Sequence, residues 1–136
     1  MTDRRDFIKT ALGVASGVAL GQAPAAFAKP ASWLSGVIYT AEAPGQWEGK
    51  AGSHAPKVSV QGKKVTITTK HIMTEKHYIV RHTLVSMDGK VLGAKTFSPA
   101  DEDAVSTFDL PEGSGSKFHA TSFCNKHDLW ATEFTV

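Results

Sequence analysis

Lys57-Val58-Ser59-Val60-Gln61-Gly62-Lys63-Lys64-Val65-Thr66-Ile67-Thr68 alternates apolar and polar residues on both sides of a glycine-containing turn. A period of two puts the valines and the isoleucine on one face of an extended chain, so the stretch predicts a β-hairpin. The pattern continues downstream. Tyr78 to Met87 is rich in β-branched residues and stops at Asp88-Gly89, a strong hairpin dipeptide, and Val91 to Phe97 reads as the returning strand. Ala100 to Ala104 is acidic and predicts a short turn or helical fragment. Val105 to Leu110 is a further strand, halted by the loop Pro111-Glu112-Gly113-Ser114-Gly115-Ser116. Phe118 to Phe123 and Leu129 to Val136 form a last hairpin. About seven short strands with no long 3.6-residue period predict an all-β chain folded as an antiparallel β-sandwich.

The N-terminal part reads differently. Asp3-Arg4-Arg5-Asp6-Phe7-Ile8-Lys9 resembles a twin-arginine export motif, a glycine-rich apolar run follows, and Ala26-Phe27-Ala28 fits an A-x-A cleavage site. The apolar run is too short and too rich in glycine for the roughly 20 residues of a membrane span. The expected division is therefore a signal peptide over 1–28, a lead-in arm over 29–44, and one domain over 45–136. Export, to a periplasm or its equivalent, with cleavage after Ala28 is the expectation; retention as an anchor is the other reading. The lead-in is irregular around Pro30 and Pro44, and Trp33, Val37, Ile38 and Tyr39 read as packing anchors on the domain.

The mature chain would hold 12 basic and 11 acidic residues, with no basic block, which argues against nucleic acid as a partner. Cys124 is the only cysteine, so no internal disulfide exists. A lone thiol in an exported protein pairs between chains, stays free, or serves as a ligand. His127 follows three residues later across the turn-tolerant Asn125-Lys126. A tight turn there brings thiolate and imidazole to one point, the chemistry of a metal site or a nucleophile. His71 and His77 meet only if Ile72-Met73-Thr74-Glu75-Lys76 loops back, because six extended residues span roughly 20 Å. His54 stands beside Pro56 where the first hairpin begins. Sandwich loops gather at its ends, so all five side chains are candidates for one rim. His82 and His119 lie inside strands and read as ordinary surface polar residues.

Three segments carry a resemblance to a known family. His71-Ile72-Met73-Thr74-Glu75-Lys76-His77-Tyr78-Ile79 is similar to H-P-M-T-x-E-H-Y-I. Phe123-Cys124-Asn125-Lys126-His127-Asp128-Leu129-Trp130 is similar to Y-C-N-x-H-G-L-W. Trp47 with His54-Ala55-Pro56 resembles W-(short loop)-K-H-x-P. These are segments of the superoxide reductases (neelaredoxin and the iron domain of desulfoferrodoxin), and the likeness covers about residues 45–136.

The resemblance implies an immunoglobulin-like sandwich holding one iron ion that cycles between Fe2+ and Fe3+. It implies His54, His71, His77 and His127 as equatorial ligands, with Cys124 axial. It further implies reduction of superoxide to hydrogen peroxide, with electrons from an external donor such as a rubredoxin-like or cytochrome carrier. Family members assemble as dimers or tetramers, so a homodimer or homotetramer fits. Asn125 and the turn amides are candidate donors to the sulfur.

The chain departs from the pattern in three places. Ser53 stands where the family places a lysine, and the loop before it is longer. Lys50 and Glu48 in that loop are the candidates to reach back to the site. Asp128 replaces a glycine, which suggests a positive φ that aspartate tolerates better than most residues. No upstream cysteine cluster provides a second iron centre. Two rival readings follow: an exported non-haem iron protein for electron transfer or sensing, without fast superoxide turnover, or a sandwich using Cys124 as a sulfur carrier. A zinc site is disfavoured, since five donors do not suit a tetrahedral ion.

Overall fold

The computed structural model describes residues 35–136. The export motif, the A-x-A site and Trp33 lie outside those residues. Eight strands make two sheets: β1 (Ile38–Tyr39), β2 (Lys57–Gln61), β3 (Lys64–Thr69), β4 (Ile79–Ser86), β5 (Val91–Thr96), β6 (Ala104–Asp109), β7 (Lys117–Cys124) and β8 (Asp128–Thr135). A five-stranded sheet runs β1-β8-β7-β4-β5, and a three-stranded sheet runs β2-β3-β6. The fold is the expected all-β sandwich, and strands β2 to β8 occupy the seven segments read from the sequence.

One detail differs from expectation. Ile38–Tyr39, read as part of an irregular arm, adds an eighth strand at the sheet edge. It pairs parallel to β8, Ile38 with Leu129 and Tyr39 with Trp130, so the sandwich is not wholly antiparallel. A two-residue strand has no alternation to read, and its partner lies far along the chain. The acidic segment before β6 is a turn and bend, the first of the two forms expected of it.

Alternation then builds the core. Val65 and Ile67 of β3 face Leu84 of β4 and Phe118 and Ala120 of β7, all buried, with Leu110 closing the cluster. Removing such side chains from water is the main drive for the two layers to close. β4 carries an irregularity between Ile79, paired with Cys124, and Arg81, paired with Phe123. One residue is left over at Val80, so Ile79 and His82, three apart, both point inward.

His82 is the clearest correction. It is fully buried, not a surface residue. Its two ring nitrogens meet Thr69 Oγ1 of β3 and Ser106 Oγ of β6, each at 2.8 Å, and Thr69 Oγ1 meets Ser122 Oγ of β7 at 2.8 Å. Four strands from both sheets supply one polar bolt through the core. His119 is half-buried.

Candidate metal centre

One rim of the sandwich gathers the lead-in to β2, the β3–β4 crossing and the β7–β8 turn. His54 ends a four-residue helix, α1 (Ala51–His54), and is 3% exposed. Pro56 lacks an N–H and stops the helix there. His71 follows β3. The expected loop-back happens: Thr74 and His77 exchange backbone hydrogen bonds at 3.0 and 3.1 Å, and the Thr74 hydroxyl donates to the His77 carbonyl at 3.1 Å. Cys124 is the last inward residue of β7, and His127 stands in the turn before β8. Asp128 takes φ of 67°, as its replacement of a glycine suggested.

These elements bring all five side chains together. His54 Nε2 is 3.1 Å from His71 Nε2, which is 3.0 Å from His77 Nε2. His77 Nε2 is 3.1 Å from His127 Nδ1, and that nitrogen is 3.1 Å from His54 Nε2. The four nitrogens close a ring. The ligand atoms of His54, His77, Cys124 and His127 all lie within 4.8 Å of one another, and His71 joins them through its contacts with His54 and His77, a spacing that suits one ion at the roughly 2.0–2.1 Å of a metal–imidazole bond. Cys124 Sγ lies 3.7 Å from His71 Nε2 and 3.6 Å from His127 Nδ1, two opposite corners. In the plane of the ring, a point so placed would crowd the nitrogen of His54 or His77. The sulfur therefore stands over the ring.

The donor chemistry calls for a cation. His54 Nδ1 donates to the Lys50 carbonyl at 3.0 Å, and His71 Nδ1 donates to the Ile72 carbonyl. Each bond fixes the tautomer and leaves a lone pair on Nε2. Those two lone pairs converge at 3.1 Å with no proton to share between them. Protonation is opposed too. Burial lowers the pKa of His54 to about 4, against a raising contribution from its bond to Lys50, and the neighbouring histidines lower it further. His71, His77 and His127 are lowered as well, burial first. Four neutral imidazoles with a sulfur over them fit a positive ion at the centre.

Burial raises the thiol pKa of Cys124, while hydrogen bonds from the backbone of Lys126 and His127 pull it down. The turn amides thus act on the sulfur as expected. Asn125 does not: its side chain accepts from the Tyr78 N–H at 3.0 Å and donates to the Lys76 carbonyl at 3.0 Å, tying the β3–β4 crossing to the β7–β8 turn. The exposed ammonium of Lys50 lies near enough that its charge lowers His77 and His127, as does that of Lys126. Glu48 is exposed, with no hydrogen bond or ion pair among the described residues. Sequence reasoning missed the carbonyl of Lys50 as an anchor for His54, and Ser53, whose Oγ sits 2.8 Å from His54 Nδ1. Lys50 stands four residues, about one helical turn, before His54 and Ser53 directly before it, and that spacing was the available signal.

Residues 46–133 match the family model described as Desulfoferrodoxin. Among solved structures, the superoxide reductase (neelaredoxin) from Ignicoccus hospitalis is 25% identical, with a TM-score of 0.61 over 73% of this chain and 93% of that one. The superoxide reductase from Treponema pallidum is 26% identical, with a TM-score of 0.53 over 65% and 72%. The 1Fe superoxide reductase from Giardia intestinalis shares the fold at 24% identity, with a TM-score of 0.57 over 62% and 98%. No curated protein matches the sequence significantly.

Proposed function

The chain belongs to the desulfoferrodoxin family, and on that premise we propose that it is a one-iron superoxide reductase. The reaction takes superoxide, one electron from a separate carrier and two protons, and gives hydrogen peroxide. The observation that carries the reading is the closed ring of imidazole nitrogens beneath the Cys124 sulfur. His54, His71, His77, His127 and Cys124 would hold the iron. Iron held there supplies one-electron chemistry, moving between its ferrous and ferric states.

The chain's own residues do the rest. Imidazoles are neutral, so a divalent ion with one thiolate keeps a net positive charge that draws a small anion. Lys50 and Lys126 add positive charge beside His77 and His127, and Lys50 takes the attracting role of the lysine that Ser53 replaces. The amides of Lys126 and His127 moderate the basicity of the sulfur. The twin-arginine motif supports export of the folded, metal-loaded protein, with a rubredoxin-like or cytochrome carrier as electron donor.

The test is metal analysis and absorption spectroscopy before and after oxidation, followed by a superoxide pulse. One iron per chain, a thiolate-to-ferric band that vanishes in Cys124→Ser, and rapid oxidation of the ferrous form are the expected results. Ser53 before His54 favours one second reading, an iron protein for electron transfer or sensing. Iron with the band but slow reaction with superoxide would select it. No iron with a freely alkylated Cys124 would refute both.

A further inference from the structure

Trp47 and Asp128 come from opposite ends of the described chain and meet beside His127. The Trp47 Nε1–H donates to Asp128 Oδ2 at 3.1 Å. Its ring stands edge-on to the His127 imidazole, with centroids 4.7 Å apart and planes at 90°. The same indole packs against the Tyr39, Ala55 and Trp130 cluster. Its carbonyl accepts from the Lys50 N–H at 3.0 Å, and the Lys50 carbonyl in turn accepts from His54 Nδ1 at 3.0 Å. The contacts from Asp128 thus pass through Trp47 and Lys50 to two corners of the nitrogen ring.

The backbone does not need an aspartate here. At φ of 67°, glycine meets no steric cost, whereas a residue with a Cβ does. The carboxylate also adds negative charge beside Cys124 and His127, raising both of their pKa values. For a site that attracts an anion, that charge is unfavourable. What the carboxylate supplies in return is a strong acceptor for the indole, since hydrogen bonds to ionised groups exceed neutral ones.

We infer that Asp128 is a positioning residue for the reaction proposed above, on which the inference rests. It latches the Trp47–Lys50 turn down over the His127 edge of the ring and holds the Lys50 charge beside the site. Asp128→Asn removes the charge but keeps a carbonyl acceptor for the indole. Asp128→Gly removes both and suits the backbone. The two variants therefore differ in the latch and not in the charge. Trp47→Phe keeps the aromatic ring and removes the donor.

Three readouts test it on the metal-loaded protein. The indole N–H band in the ultraviolet resonance Raman spectrum, taken as wild type minus Trp47→Phe, should show a strong hydrogen bond that weakens but persists in Asp128→Asn and is lost in Asp128→Gly. Affinity for azide, used as an unreactive small anion, should be about three- to tenfold lower in Asp128→Gly than in Asp128→Asn, the scale of one lost hydrogen bond. The rate constant with superoxide should split the same way, and its dependence on ionic strength should flatten in Asp128→Gly and Trp47→Phe. Equal azide affinity in the two Asp128 variants, or no strong indole hydrogen bond in the wild type, would overturn the latch. Failure to react with superoxide would instead count against the proposed function, because the Raman band and azide binding do not depend on turnover.

Discussion

His54 and His82 share one electrostatic signature and differ in everything that surrounds it. Burial is the first cause of a low pKa in both, and each is lowered to about 4. Yet His82 has a hydroxyl within 2.8 Å of each ring nitrogen, so its donor and its acceptor are both satisfied inside the protein. His54 has a non-histidine partner on one nitrogen only, Nδ1. Its other nitrogen carries a lone pair that faces Nε2 of His71 and Nδ1 of His127, each at 3.1 Å. Burial alone therefore does not mark a functional histidine. The mark is a buried lone pair that faces another lone pair, as His54 Nε2 faces His71 Nε2.

The contrast is broken most sharply at the ring. His77→Ala removes one corner and should weaken metal binding by more than the roughly 10–100-fold that losing a supporting group costs. Chelator competition with metal analysis reads this, and unfolding of the metal-free protein should change little, since His77 is only half-buried.

His82→Ala should do the reverse. It opens a cavity and leaves buried hydroxyls of Thr69 and Ser106 without their partner, at a cost of about 2–5 kcal/mol in urea unfolding. The refolded protein should still take up one metal ion per chain.

Next is the response to acid. Folded His82 stays neutral down to about 4, whereas in the unfolded chain it protonates near 6.5. Between those values the unfolded state binds the extra proton, so stability is complete above pH 6.5 and falls as pH drops toward 4. The loss amounts to about 3 kcal/mol. Among the described residues, the charge of Lys95 lowers the His82 pKa further. Unfolding of wild type and His82→Gln across this range should show the slope in the first and lose that part of it in the second.

The smallest effect belongs to Ser53→Ala. The Lys50 carbonyl still accepts from His54 Nδ1, so metal affinity should change by less than about tenfold, the worth of one hydrogen bond.

The sequence made most of this visible where the relevant physics is local. Alternation and the turn dipeptides located β2 to β8, and the spacing of His71 and His77 stated the loop-back that their meeting requires. Replacement of a glycine at Asp128 suggested the positive φ that the structure has. What escaped was long-range. Burial of His82 depends on hydroxyls from three other strands, which no window around it reveals. β1 is two residues long and gains its partner from the far end of the chain. Asn125 looked like a donor to the neighbouring sulfur, but its partners Lys76 and Tyr78 arrive only once the β3–β4 crossing packs beside the turn.

The central claim is that four imidazole nitrogens and one thiolate hold a single ion. Iron K-edge X-ray absorption of the iron-loaded protein tests it most directly. The account predicts a first shell of about four nitrogen scatterers and one sulfur, with the sulfur absent in Cys124→Ser. A shell without sulfur in the wild type, or a Cys124 thiol that alkylates freely while the metal stays bound, would contradict it.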